Sequence, residues 1–310
     1  ALLALLVVPV FPHFVSPNEL SRWAAVVSLV DRGSLSIAPD VAALLGSRFE
    51  DVAERDGRLY PNKAPGAALA ALPGYLAVRP FAGPPGAESM RLAVTAMRWS
   101  AATVPALLLA AFFAGAARRF LRAGADGTAL ALAALLFGTP LLAYGQQLFS
   151  HALVALGLFG AWALLFPPDG PGSAGRDVGA GALLGLAVLA DYPALVPAAI
   201  LSLAAVWGGS PGRALRIALG ALPPAVLFFG YNTAAFGGPL SLPVGFERFA
   251  AFRKLREHGA YGVGWPSPRN AFLLLLDPSK GLLVLSPVLL AAAAATPAAV
   301  RRLGAASGGT

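Results

Sequence analysis

Apolar stretches of about one to two dozen residues recur along the whole chain, and the basic residues between them stand singly or in small groups at their ends. This alternation constrains the fold more than any motif does. A water-facing surface needs charge, and soluble domains draw about 25% of their residues from Asp, Glu, Lys and Arg. Here the charged share is 12%, against 57% hydrophobic residues and a mean hydropathy of +0.70, which predicts a polytopic membrane protein. In lipid every backbone N–H and C=O must be satisfied within its own helix or a closed barrel. No alternating strand pattern supports a barrel, so the expected fold is an all-α bundle.

Hydropathy places spans at 92–117, 127–144, 148–166, 178–190, 192–208, 214–231 and 281–300, with the visible part of a first at 1–15. A full span needs about 20 residues. The run before Pro12 is shorter than that, so part of this helix is expected to precede Ala1; a secretory signal peptide is the other reading. The AASGGT ending reads as a cut loop, so residues 1–310 are expected to be one transmembrane domain truncated at both ends. Arg118, Arg119 and Arg122 share a side with Arg176, Arg213, Arg216, Arg301 and Arg302, whereas the turns YGQQLFS and Asp191 opposite carry no Lys or Arg. By the positive-inside rule the arginine side is cytoplasmic. The two long loops, 16–91 and 232–280, then face outward across a bacterial inner or plasma membrane. The net charge of +8 is thus a record of topology, and a nucleic-acid partner is not expected. With no cysteine, disulfides and thiolate metal sites are excluded.

Charge is concentrated in the first long loop. Residues 19–31 set Leu20, Trp23, Ala24, Val27 and Val30 on one helical face and Ser21, Arg22, Ser28 and Asp31 mostly elsewhere, predicting an amphipathic helix on the membrane surface. Asp40 is placed to cap a second helix with Leu44, Leu45, Phe49 and Val52 inward and Arg48, Asp51, Glu54 and Arg55 outward. The run from Ala64 to Val78, interrupted by Pro73, is too short to cross and is expected to lie in the interface.

PNELSRW after the first apolar run, a segment ending in DRGSL, then GRLYPNKAPG and a short apolar helix resemble the first loop of GT-C glycosyltransferases. The likeness is to bacterial family-39-like members and to lipid A aminoarabinose transferases. It extends to Arg98 in AMRWSA, His151 in YGQQLFSHAL, Asp191 in GLAVLADYP, and YNTAAFGGP followed by GLLVLSPVLL. The resemblance implies a GT-C-like bundle with juxtamembrane helices. It also implies inverting transfer of a sugar from a polyprenyl-phosphate carrier to a lipid, glycan or protein acceptor hydroxyl on the outer face.

Such chemistry needs a carboxylate to take the acceptor's proton and cations to hold the departing phosphate. The resemblance places Glu19 in the acidic motif after the first span, as the base; a surface carboxylate pairing with Arg22 is the other reading. Asn18 stands where these enzymes usually carry a second acid, which weakens the expectation of a divalent cation such as Mg or Mn. Asp51 reads either as an acceptor-orienting or metal-binding group or as an ion pair with Arg48 and Arg55. Lys63, Tyr60, Arg22 and Arg98 are the candidate ligands of the donor phosphate, Lys63 doubling as an interfacial snorkelling lysine. His151 and Asp191 are further candidates, an outer-face histidine and an intramembrane acid. The second loop, with Arg253, Lys254 and Arg256, is expected to form a lid, an acceptor platform or a plain surface helix. Two other functions fit the composition: a transporter or lipid-carrier flippase with a broken helix at Asp191, and a catalytically inactive scaffold, to which Asn18 points.

Overall fold

The computed structural model describes residues 14, 16–46, 50–83, 86–168, 170, 172–207, 211–257, 264–265 and 267–307. The expected first span at 1–15 falls outside them except for Phe14. The described chain is mostly helical. Helix α1 (Pro17–Arg32) begins with proline, whose missing N–H costs nothing in a first turn, and ends at Gly33, left-handed with φ 62°. Helix α2 (Pro39–Leu45) follows, then strands β1 (Val52–Arg55) and β2 (Arg58–Pro61). Helix α3 (Gly66–Ala82) leads into α4 (Ala87–Arg98), which continues through one π turn at Trp99–Thr103 into α5 (Val104–Phe120). The remaining helices are α6 (Ala125–Phe137), α7 (Leu141–Tyr144), α8 (His151–Leu165), α9 (Ala174–Ala190), α10 (Leu195–Val206), α11 (Pro211–Phe236), α12 (Ala250–Arg256), α13 (Pro268–Leu276), α14 (Leu282–Leu285) and α15 (Val288–Ser307).

Two of these segments are long and apolar enough to cross a membrane: Ser89–Phe120, of 32 residues, and Pro211–Phe236, of 26. At 1.5 Å per residue the shorter spans about 39 Å. Their surroundings are apolar too. Leu195, Val196, Ile200 and Leu203 on α10, and Leu215, Leu219, Leu222 and Val226 on α11, all face outward. Helices α9 and α11 pack through small residues: a Cβ added at Gly181 would fall 1.9 Å from the Ile217 carbonyl oxygen, and one at Gly220 equally close to that of Val178. Backbones this near can meet only over glycine.

The first loop departs from expectation in two ways. The expected second helix stops at Leu45, and Val52–Arg55 is a strand paired antiparallel with Arg58–Pro61. Asp56 and Gly57, with φ of 51° and 72°, form the two-residue turn that Asp-Gly favours. Asp51 therefore has no helical neighbour at Arg55, and Arg48 lies outside the described residues. Asp40 is not the N-cap residue: α2 starts after Ala38, and Asp40 stands in its first turn with its carboxylate on Arg32. Second, α1 is not a surface helix. Glu19, Ser21, Arg22 and Ser28 are buried along with Trp23, Ala24 and Val27, because α2, the hairpin, α3 and α4 close around it. Trp23, Val27, Val41, Val52, Met97 and Leu148 form their common core.

Elsewhere the expected run 127–144 breaks at Gly138–Pro140 into α6 and α7, and 281–300 breaks at Ser286–Pro287 into α14 and α15. Proline lacks the N–H that would carry either helix through. The second long loop returns to the first: Ala53 forms a bridge with Glu247, and the Arg248 N–H donates to the Val52 carbonyl at 3.1 Å.

Candidate functional site

Arg22 is the residue around which the polar groups gather. It projects from the middle of α1 and is 4% exposed. Its Nη1 donates to the Leu148 carbonyl at 3.0 Å, and its guanidinium lies 5.8 Å from the centre of the Phe149 ring. Its Nε meets no acceptor, and no carboxylate comes within ion-pair distance, among the described residues. Burial lowers its pKa to about 10, opposed by the charges of Asp191, Asp51 and Glu19 nearby. A buried cation surrounded by acids that do not touch it is incompletely compensated, and an anion would relieve that.

A groove lies between α1 and α3, and Arg22 is among the residues that line it. Ala25, Val26, Leu29, Ala68, Leu69 and Leu72 form much of its wall, with Pro61, Ala64 and Tyr231 also lining it; Arg22 is its charged member. The cavity within it is narrow, about 50 Å³. The far end of α1 is tied to α3 by Asp31, which accepts from Tyr75 Oη at 2.6 Å and Arg79 Nε at 2.5 Å. Burial first, and the Asp31 carboxylate second, push the Tyr75 phenol pKa up, so it stays a donor.

Beside the groove, where Pro61 and Ala64 line it, the chain between them holds a second cluster. Asn62 Nδ2 donates to Asp51 Oδ1 at 2.8 Å and to both oxygens of Glu247, at 3.1 and 2.9 Å. Lys63 Nζ lies 3.2 Å from Asp51 Oδ1. Asp51, Asn62 and Glu247 are buried, and Lys63 keeps a partly exposed ammonium. Among the described residues no hydrogen bond falls on Asp51 Oδ2, which leaves this carboxylate an oxygen to accept a proton.

Glu19 and Arg98 meet each other instead of a cavity. Arg98 Nε and Nη2 donate to Glu19 Oε1 and Oε2 at 2.8 and 2.9 Å, and the Leu148 N–H donates to Oε1 at 2.7 Å. Both side chains are wholly buried. The fork-to-fork geometry sits where the π turn follows Arg98, and it fixes α1 to α4. A carboxylate with both oxygens so engaged has no room for an acceptor hydroxyl, so the expected base is enclosed. Leu148 donates to Glu19 through its N–H and accepts from Arg22 through its carbonyl, so the ion pair also holds the loop that orients Arg22.

The other expected residues are placed as follows. Tyr60 is buried against Phe236, with ring centres 5.2 Å apart, in a cluster with Tyr231. Asn18 lies in the first turn of α1, its carbonyl accepting from Ser21 Oγ at 3.2 Å. His151 is exposed, its ring 4.2 Å from that of Tyr144. Asp191 separates α9 from the turn leading to α10 and accepts from Ser150 Oγ at 2.9 Å. His151 and Arg22 both lie within reach of the Asp191 charge. Two site residues escaped the sequence reading. Asn62 stands inside the GRLYPNKAPG motif beside Lys63, and Glu247 is a lone acid among the aromatics of GFERF, where the neighbouring basic residues drew attention first.

Among the described residues no group of three acids or histidines gathers as metal ligands do. The donor set fits a divalent cation poorly: Asp51 and Glu247 point at the Asn62 amide and, for Asp51, at the Lys63 ammonium. Elsewhere Asp177 binds Arg213 at 3.1 Å and Arg216 at 2.8 Å, fastening α9 to α11. No protein-family model, curated protein or solved structure matches the chain.

Proposed function

We propose that the chain is a polytopic membrane glycosyltransferase that moves a sugar from a polyprenyl-phosphate donor to an acceptor hydroxyl by inversion, on the extracytoplasmic side. The observation that carries this is the apolar groove between α1 and α3, with the buried, incompletely paired Arg22 among its lining residues. A long isoprenoid chain with one phosphate has that polarity pattern. The exposed apolar faces of α10 and α11 and the two membrane-length helices support a bilayer setting.

In this scheme Arg22 holds the phosphate and Lys63 adds a second positive charge. Asp51 Oδ2 accepts the proton of the acceptor hydroxyl as its oxygen forms a bond to the sugar's anomeric carbon. The bond from that carbon to the phosphate oxygen breaks on the far side, and polyprenyl phosphate leaves with one more negative charge than the donor carried. Asn62 orients Asp51 and tethers it to Glu247, while the Glu19–Arg98 pair acts through position alone. The break at Asp191 favours a second reading, a carrier that moves the lipid-linked sugar intact across the membrane.

The test uses the purified chain in nanodiscs with radiolabelled polyprenyl-phosphate hexoses and pentoses and membrane extract as acceptor. Release of polyprenyl phosphate by the wild type, falling at least about 100-fold in Asp51→Asn, is expected for a lost general base. Movement of the intact lipid without release would select the carrier, and unchanged release in Asp51→Asn would remove it as the base.

A further inference from the structure

A second cavity, of about 650 Å³, lies outside the hairpin, between α2 and the start of α12. Its size falls within the roughly 300–1,000 Å³ typical of small-molecule sites. Its lining includes the small residues Ala42 and Ala43, the aromatic Phe249, whose ring also meets that of Phe252 at 5.2 Å, and Glu50 and Arg248, one charge of each sign. Both long loops build it. Along the chain its charged residues alternate with the buried acids: Glu50 is exposed and Asp51 buried, Glu247 buried and Arg248 exposed. The cavity and the Asp51–Asn62–Glu247 cluster thus occupy the two sides of one strip of backbone, pinned by the Ala53–Glu247 bridge and by the Arg248 N–H on Val52.

We infer that this cavity is a carbohydrate subsite, holding a sugar ring of the acceptor next to the one that reacts. An aromatic face takes the C–H face of a pyranose, while a carboxylate and a guanidinium take its hydroxyls as acceptor and donor. Charges of opposite sign leave the wall neutral, which suits an uncharged glycan over a phosphorylated or strongly basic acceptor. Arg248, one of the lining residues, also contacts Glu54 through its Nε at 3.3 Å in an exposed pair. The inference rests on the proposed transfer, because it assigns the acceptor's class.

Two measurements separate the two claims. The first is saturation-transfer NMR of the detergent-solubilised chain with a panel of neutral di- and trisaccharides, which needs no donor and no turnover. Binding in the millimolar range is expected, weakened at least 10-fold by Phe249→Ala and abolished by Ala43→Trp, which crowds the cavity. Circular dichroism and melting temperature check that both surface variants fold. The second is consumption of the polyprenyl-phosphate sugar with water as acceptor, which neither variant changes. Absence of saccharide binding, or binding untouched by both variants, overturns the subsite whatever the donor assay gives. Saccharide binding with the expected losses, but no donor consumption by any preparation, leaves the subsite standing and overturns the transfer.

Discussion

Glu19 and Arg22 are three positions apart on one helix, and their surroundings give them opposite parts. Glu19 has a bidentate cation and a peptide N–H on its oxygens; Arg22 has one carbonyl and borders an apolar groove. Removing one partner of a buried pair strands the other's charge, so Glu19→Ala should destabilise the chain by about 3–5 kcal/mol. Replacing both together, Glu19→Met with Arg98→Met, should recover most of that loss in denaturant titrations in micelles. Full stability with lost turnover in Glu19→Gln would return the base to Glu19. For Arg22 the expectation concerns pH. Its pKa is lowered in the fold to about 10, so the guanidinium is charged at neutrality and loses its proton as pH passes about 10. Retention of a polyprenyl phosphate should therefore hold steady from pH 7 to about 9 and fall through about 10. The sign for stability is the reverse: between that value and the usual arginine range the unfolded chain binds the extra proton, and this group's burial penalty is relieved as pH rises.

At the scale of elements, the hairpin and the α9–α11 contact carry separate burdens. The hairpin positions Asp51 and Asn62 through the Asp56–Gly57 turn, where φ of 72° at Gly57 suits glycine. Gly57→Val should cost about 1–2 kcal/mol and lower turnover, with the donor still binding at the groove. In the bundle, Gly181→Leu should collapse thermal stability, whereas Gly175→Leu on the same helix, where an added Cβ meets nothing within 4 Å, should not. The hairpin was legible in principle, since Asp-Gly between short runs is its signal. Helical spacing of Leu44, Leu45, Phe49 and Val52 masked it, because four strand residues give too little alternation to outweigh an apolar helical face. The breaks at Pro140 and Pro287 were passed over for a similar reason, hydropathy averaging over single prolines.

For the whole molecule, composition and hydropathy made the helical character readable, and the quoted motifs located most of the polar groups that gather around Arg22. What they withheld was pairing. Whether a carboxylate faces a cavity or an arginine depends on how distant segments meet, as Glu19 and Arg98 do across 79 positions, and no local pattern records that. Topology has a direct check because the chain has no cysteine. Single cysteines at Asp56, in the hairpin turn, and at Arg122, after α5, should react differently with a membrane-impermeant maleimide: Asp56→Cys in intact cells, Arg122→Cys only after permeabilisation. The central claim is that a lipid phosphate seats on Arg22 with its chain between α1 and α3. Its most direct measurement is photolabelling with a diazirine-bearing polyprenyl phosphate, followed by peptide mapping. Crosslinks at 25–35 and 64–72, competed by unlabelled lipid and lost in Arg22→Ala, are expected; crosslinks elsewhere, or unaltered in Arg22→Ala, would contradict the account.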